Sequence, residues 1–475
     1  MFQNIRNIFS IKDLRDRILF TLLMMAIYRV GSFVPCPFVS VENLRDSISN
    51  LLGNMMGVAN MFTGGAFSKM TVMSLGIMPY ITASIVLQLL MVVVPRLEKM
   101  AKEGEAGRKK ITQYTRYGTV GLAIVQGFGL AMFIRSQPEW ITPFMRDKQA
   151  LFVLLTVISI TAGTTFLMWL GEKITEKGIG NGVSLIIAVG IASYYMPHIQ
   201  MSIDYMKAGD FPAIWLLFVA ALCIAATILI ILIQEGARKI PIQHAKQVAG
   251  RKMQAAQTNY LPLKINTAGV MPVIFSSAIL TLPATVFGWV GASGGNLGFM
   301  GELFALQSSY NLYNLLDMDR GAIFNLLKAV NLHTIAFIVL TAGFCFFYTA
   351  IVFNPQDVAD NLRRVGAFVP GYRPGQQTAN YIDKVMTRIT LVGAVFLCTV
   401  SIFPQILMVA FEIPFELADF AGGTGLIIVV AVVLDTMKQI ESRMLMRHYD
   451  GFKSRRQQQG NSGPRRWASP PGKAQ

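Results

Sequence analysis

Residues 71–94 read TVMSLGIMPYITASIVLQLLMVVV, 24 positions without one Asp, Glu, Lys or Arg, and the 22 residues that follow carry seven Lys and Arg. A helix needs about 20 consecutive apolar residues to cross the hydrocarbon of a bilayer. Only helices and closed barrels pair every backbone N–H and C=O without water. The run is continuous rather than alternating, which argues against a barrel strand. It predicts a transmembrane helix that ends in a basic loop.

Nine further apolar stretches lie outward from it, at roughly 18–34, 117–134, 151–171, 182–199, 211–233, 267–290, 332–353, 389–410 and 423–440. The chain of 475 residues is 53% hydrophobic and only 14% charged, against about 25% charged in a soluble chain. The reading is an all-α polytopic membrane protein with ten transmembrane helices. The first and last stretches are short and are expected to be shallow or extended by their flanks. Pro79, Pro272, Pro283 and Pro404 fall inside stretches. Each removes a backbone donor, which predicts kinks whose freed carbonyls are satisfied by neighbouring protein. Arg15–Val34 has the charge order of a signal peptide, but no small-residue cleavage site follows, so it is read as a retained first span.

Charge orients the chain. Of 42 Lys and Arg, 33 fall in the alternate segments 1–17, 95–116, 172–181, 234–266, 354–388 and the tail after 436. Eight fall in 35–70, 135–150, 200–210, 291–331 and 411–422, and Arg29 lies within the first stretch. By the positive-inside rule both termini face the cytoplasm, and an even number of spans agrees. The net charge of +16 is then a property of one face. The expected organisation is a cytosolic segment 1–17, an N-terminal half 18–199 with five spans, a C-terminal half 200–440 with five more, and a tail 441–475. From Gly451 the tail is rich in Gln, Gly, Pro, Ser and Arg and is expected to be disordered.

No HExxH, Walker A or GxSxG string is present. His198, His244, His333 and His448 do not pair at helical spacing. Cys36, Cys223, Cys345 and Cys398 lie in or beside apolar runs and read as membrane-core residues rather than metal ligands or a disulfide framework. No catalytic residue, metal or cofactor is expected. Gly178-Ile-Gly-Asn-Gly182 reads as a tight turn with close helix approach rather than a phosphate cradle. Ion-coupled transporters carry ionisable groups near the midplane. Here Arg29 sits near the outer end of its span, where it can snorkel, Asp435 lies near the inner end of the last span, and Glu172 lies at the cytoplasmic rim. A nearly charge-free interior points to a passive conduit worked by a cytosolic partner. The alternative is a secondary transporter for a small solute, and a third class is an intramembrane enzyme. Within the outer segment 35–70, Asn60, Met61, Phe62, Thr63, Gly64, Gly65, Ala66 and Phe67 form an apolar stretch too short to span. It is either a short re-entrant helix buried in protein or an interfacial turn.

Several strings go further: Gly76-Ile-Met-Pro-Tyr-Ile-Thr-Ala-Ser84, Glu103-Gly-Glu-Ala-Gly-Arg-Lys-Lys110, Tyr114-Thr-Arg-Tyr-Gly118, Leu261-Pro-Leu-Lys-Ile-Asn266 and Phe353-Asn-Pro355. With them stand Ala359-Asp-Asn-Leu362, Gly366-Ala-Phe-Val-Pro-Gly371, Arg373-Pro-Gly375, Tyr381-Ile-Asp-Lys-Val-Met-Thr-Arg388 and Gly422-Gly-Thr424. In this order, from about residue 15 to 445, they resemble the SecY family, the channel subunits of the bacterial protein translocase. The resemblance implies two five-helix halves around an hourglass pore with a plug, in the plasma (inner) membrane. It implies a second opening, sideways between spans two and seven, for segments entering lipid. It also implies SecE and SecG as fellow subunits, the motor ATPase SecA and the ribosome as cytosolic partners, and signal sequences and unfolded proteins as clients. ATP is then spent by SecA, and the chain is not an enzyme.

Carried over by position, the implied pore ring is Ile77, Ile81, Val183, Ile187, Ile274 and Ile428. The first two pairs stand four apart and share a helix face. Val183 is smaller than the isoleucine often found there, so either the seal is looser or a neighbour fills the gap. The implied plug is about Asn60–Met70. Thr82, Gln126 and Asn266 correspond to a polar cluster at the lateral gate; read alone, they are ordinary interhelical hydrogen-bonding residues. The implied docking surface is Arg238, Lys239, Lys246, Arg251 and Lys252 with Arg363, Arg364 and Arg373. Of these, Arg251 and Lys252 match ribosome-facing positions. Arg373, at the place of an arginine needed for SecA-driven transport, is framed by Gly371 and Pro374-Gly375, which predicts a turn tip.

Overall fold

The structure is a computed structural model that describes residues 11–40, 60–208, 213–244, 248–249, 252–253, 258–292, 332–411, 418 and 422–460. Helices stand over all ten predicted stretches: α1 (Lys12–Gly31), α2 (Met78–Val93), α4 (Glu105–Arg135), α5 (Gln149–Lys177), α6 (Gly182–Ala208), α7 (Ala213–Glu235), α8 (Met271–Ala292), α9 (Leu332–Val352), α11 (Gln376–Phe411) and α12 (Gly423–Gly460). Two short amphipathic helices, α3 (Pro95–Lys102) and α10 (Pro355–Arg364), lie in the basic loops.

Among the described residues six helices are long and apolar enough to cross a bilayer, and a seventh if α2 and α3 count as one span. The chain is a multi-pass membrane protein, but ten full crossings exceed that number. The reasons are local. The first turns of α1 carry Lys12, Asp13, Arg15, Asp16 and Arg17. In α6 the apolar run ends at Pro197, with His198, Asp204 and Lys207 beyond it; in α8 the described side chains cover an apolar run over Met271–Thr281. Between α2 and α3 the chain bends by 101°, because Pro95 holds Val94 in extended backbone (φ −101°, ψ 109°).

Two of the four predicted proline kinks are absent. Pro79 and Pro272 occupy the first turns of α2 and α8, where a missing N–H loses no helical bond. Pro283 and Pro404 lie inside helices as expected, and Pro197 joins them. The Gly178–Gly182 run makes the turn into α6, with Gly180 at φ +87°. Of the tail, α12 continues through residues 451–460, which are rich in the helix-favouring Lys, Arg and Gln, and the rest of the stretch read as disordered lies outside the described residues.

The chain is mostly helical, yet an all-α description misses a small sheet. Strand β1 (Ala237–His244) pairs antiparallel with β4 (Thr258–Lys264), in register from Ala237↔Lys264 to Gln243↔Thr258, and its other edge takes β5 (Ala367–Phe368). A two-residue pair, β2 (Val248–Ala249) and β3 (Lys252–Met253), closes the described part of the hairpin. Ile240 and Ile242 alternate inward, both buried, the period-two signal of a strand. Under this sheet Ile240, Leu263, Val369, Ile382 and Met386 form one apolar cluster. The two large basic loops therefore share a core and make one body.

Close approach decides where the outer turns sit. Gly163 on α5 faces the backbone of Val72, and a Cβ there would collide with the Val72 carbonyl. Gly121 on α4 has open space at the same position. Gly163→Ala is expected to destabilise the protein by about 1–3 kcal/mol through overpacking, whereas Gly121→Ala is expected to be tolerated. Heating the two purified variants in detergent and following monodispersity checks this.

Candidate functional site

Two helices carry the site in successive turns. On α6, Ser184 lines a cavity, Ile187 is buried in the central apolar cluster, and Gly190 meets the turn that follows the Asn60–Thr63 helical turn. On α12, Asp435 and Val432 line the same cavity, Ile428 is in the cluster, and Gly425 faces Met61, whose Sδ lies 3.0 Å from where a Cβ would stand. One helical turn rises about 5.4 Å. The layers along both helices therefore run in one order: polar cavity, aliphatic constriction, buried turn.

The constriction is where the ring residues meet. Ile77, Ile81, Ile187, Ile274 and Ile428 belong to one buried cluster, and Val183 packs against it from a partly exposed position. Ile77 caps α2 rather than lying inside it, but the Ile81 amide donates to the Ile77 carbonyl at 3.1 Å. The two side chains thus keep helical spacing. The Val183 Cγ2 faces Gly171 on α5, so this smaller residue is the least enclosed of the six.

The cavity on the basic side holds about 480 Å³. Asn181, Ser184, Gln234, Asn266 and Gln439 give it a neutral polar wall, with Lys264, Asp435 and Lys438 among its lining. Lys438 is paired to Glu235 at 2.7 Å, which ties α12 to α7. The Arg116 guanidinium forks onto Glu172, with Nε and Nη2 each 2.8 Å from a carboxylate oxygen.

On the other side lies the segment from Asn60. It makes one helical turn and then a series of turns to Ile77. Met61 and Phe62 enter the central cluster, while Phe67 and Met70 enter a second, outer one. Gly64 and Gly65 have φ +65° and +83°, which glycine adopts without steric penalty. Gly64 also passes within contact of the Gly190 backbone, where a Cβ would be 2.9 Å from the Gly190 Cα. Of the two readings left open, the geometry is that of a protein-buried segment rather than an interfacial turn. The sequence reading missed two of its contacts. Arg29 is half-buried and its Nη1 donates to the Gly64 carbonyl at 3.0 Å, so it is engaged inside the protein rather than free to snorkel. Gly190 provides the groove, and only its lack of a side chain marks it in the sequence.

Thr82, Gln126 and Asn266 are all buried. The Thr82 hydroxyl donates to the Met78 carbonyl and the Asn266 amide to the Gly269 carbonyl, at 3.0 and 2.9 Å. These two bonds stay within their own segments. Helix α8 packs against both α2 and α4, so this seam is shut.

The basic loops present Arg238 and Lys239 exposed on β1 and Arg363 and Arg364 exposed at the end of α10. Lys252 lies in β3, and Lys246 and Arg251 lie outside the described residues. Arg373 stands exposed between Gly371 (φ +88°) and Gly375 (φ +106°), with its carbonyl held by the Thr378 hydroxyl at 2.9 Å. Tyr372 stacks on Tyr381 with ring centroids 4.2 Å apart. The backbone at Arg373 is thereby braced while its side chain reaches solvent.

A cysteine pair tests the constriction. With Cys36, Cys223, Cys345 and Cys398 replaced, Ile81→Cys with Ile274→Cys is expected to be bridged by a short bifunctional thiol reagent in detergent. Failure to bridge, with each single variant labelled normally by a monofunctional reagent, would place the two apart.

A SecY family model matches residues 71–437. Protein translocase subunit SecY of Escherichia coli is 43% identical over 438 residues, covering 92% of this chain and 93% of that protein. The subunit of the same name from Pseudomonas aeruginosa is 42% identical over 443 residues (93% and 94%), and that of Aquifex aeolicus 40% over 456 (95% and 99%). A solved structure described as a protein conducting channel superposes with a TM-score of 0.61 at 16% identity, covering 90% of this chain and 91% of that one. Sec61 in a canine ribosome–channel complex superposes with a TM-score of 0.58 at 14% identity, with the same coverage. At such identities these two matches speak for the fold.

Proposed function

The chain belongs to the SecY family, and on that premise we propose that it is the pore subunit of a protein translocase. It would pass unfolded secretory chains across the bacterial plasma membrane and release membrane segments sideways into lipid. The observation that carries this is the layered order on α6 and α12: polar cavity, aliphatic ring, buried turn. A dry apolar constriction excludes hydrated ions because they cannot wet it. The same side chains form no directional bond with a polypeptide, so an extended chain can part them and slide.

Each part has a role under this reading. The 33 basic residues on one side support a cytoplasmic location for both termini. The cavity is then the cytoplasmic vestibule, where neutral polar groups wet a chain without holding it. Ile77, Ile81, Val183, Ile187, Ile274 and Ile428 form the seal, and residues 60–70 form the plug on its outer side. The α2–α4–α8 seam is the lateral gate. It is held mainly by packing, and interhelical hydrogen bonds of about 0.6–2 kcal/mol are small enough for an arriving signal helix to outcompete. SecE and SecG would complete the complex. SecA and the ribosome would dock on the shared body of the two basic loops, where guanidinium and ammonium groups suit carboxylates and phosphates. ATP hydrolysis belongs to SecA, and this chain needs no catalytic group.

Deleting residues 60–67 is expected to raise the resting ion conductance of the reconstituted complex in planar bilayers. An unchanged leak would remove the plug assignment. Arg373→Glu is expected to abolish SecA-driven export into reconstituted vesicles by reversing charge on a braced, exposed tip. Wild-type rates would reject that role.

A further inference from the structure

The outer end of α1 grips the plug segment through side chains. In the last turn of α1, Tyr28 donates from its hydroxyl to the Thr63 carbonyl at 3.4 Å and Arg29 donates from Nη1 to the Gly64 carbonyl at 3.0 Å. The Ser32 hydroxyl lies 3.5 Å from the same Arg29 nitrogen. Just beyond, the Phe33 ring takes the Arg29 guanidinium at 4.9 Å on one approach and the Lys69 ammonium at 4.2 Å on another. Lys69 belongs to the other end of the plug segment, so the end of α1 and the residue pair after it, Ser32 and Phe33, hold that segment at both ends.

The chemistry is specific. Gly64 lies in a turn with φ +65°, outside any helix or sheet ladder, and a buried carbonyl there needs a donor. A cationic donor makes a bond roughly twice as strong as a neutral one. That bond exists only while the plug is seated. Once the plug leaves, the Gly64 carbonyl moves off, and Arg29, near the outer end of its span, can reach interfacial water. The contact therefore differs between the closed and open states, which a residue must do to shift their balance.

Resting on the plug reading above, we propose that Arg29 is the latch that holds the plug seated and thereby sets how strong a targeting signal must be to open the pore. It is a positioning residue that acts on the pore through Gly64.

The test uses the complete reconstituted complex, with residues 60–67 deleted as the reference for an unplugged pore. Arg29→Gln is expected to raise the resting open probability about tenfold, the scale of one lost charge-assisted hydrogen bond, and to admit a client whose signal has a shortened apolar core. Arg29→Lys keeps a cationic donor and is expected to stay near wild type. Phe33→Leu removes only the ring and is expected to move both readouts the same way by less. In the plug-deleted background Arg29→Gln is expected to add nothing. If the deletion leaks but neither Arg29→Gln nor Phe33→Leu changes leak or signal threshold, the latch is wrong and the plug stands. If Arg29→Gln adds to the leak of the deleted channel, it acts elsewhere and the latch is also wrong. If the deletion itself does not leak, the plug reading fails and the latch falls with it.

Discussion

Water is absent from the hydrocarbon of a bilayer, so each backbone N–H and C=O at that depth must find its partner within the protein. Much of this chain follows from that constraint. Helices satisfy it alone. The turns between Gly64 and Ile77 cannot, and they are buried among helices. There Gly65 donates to Asn60, Thr71 to Ala66 and Gly76 to Met73, and outside the segment Cys36 donates to Met70 and Val72 to Val34. Other groups go to side chains, the Phe67 amide to the Thr63 hydroxyl, the Ser68 amide to Asn60 and the Gly64 carbonyl to Arg29 among them. Most of these bonds lie within the segment itself and can travel with it.

The same restraint appears at the seam between α8 and the helices α2 and α4. There the buried Thr82 and Asn266 spend their hydrogen bonds inside their own segments. What joins the helices is close apolar packing, which is tight but has no fixed direction. A replacement helix of similar shape can take over such contacts with little penalty. At the basic rim the contacts are of another kind: Arg116 forks onto Glu172 and Lys438 pairs with Glu235. Exposed pairs of this sort contribute at most about 1 kcal/mol, but they orient helix ends. The layout combines a directional rim with a yielding interior.

Legibility varied with the range of the interaction. The apolar stretches could be read one by one, because length and charge are local properties. Pro79 and Pro272 were misread as kinks because the helices begin beside them, and a start depends on the turns packed before it. The hairpin of β1 and β4 left a faint trace in Ile240 and Ile242, masked by the surrounding Lys and Arg. Arg29 was noticed as a charge within an apolar stretch, but its partner is a backbone carbonyl 35 positions away, and no side-chain pattern announces a carbonyl. Gly190 matters for what it lacks. The ring residues were legible only by resemblance, since a lone isoleucine in an apolar helix carries no sign of what it faces.

By itself, then, the sequence determined that the chain lives in a membrane, which side of it is basic, and where its apolar helices stand, because hydrophobicity and charge are summed along contiguous residues. Tertiary structure alone decided that five isoleucines from four segments meet at one constriction, that a glycine-bearing turn lies on it against Gly190 and Gly425, and that Arg29 holds that turn. Those outcomes depend on distances between residues far apart in the chain, and such distances exist only once the helices have packed.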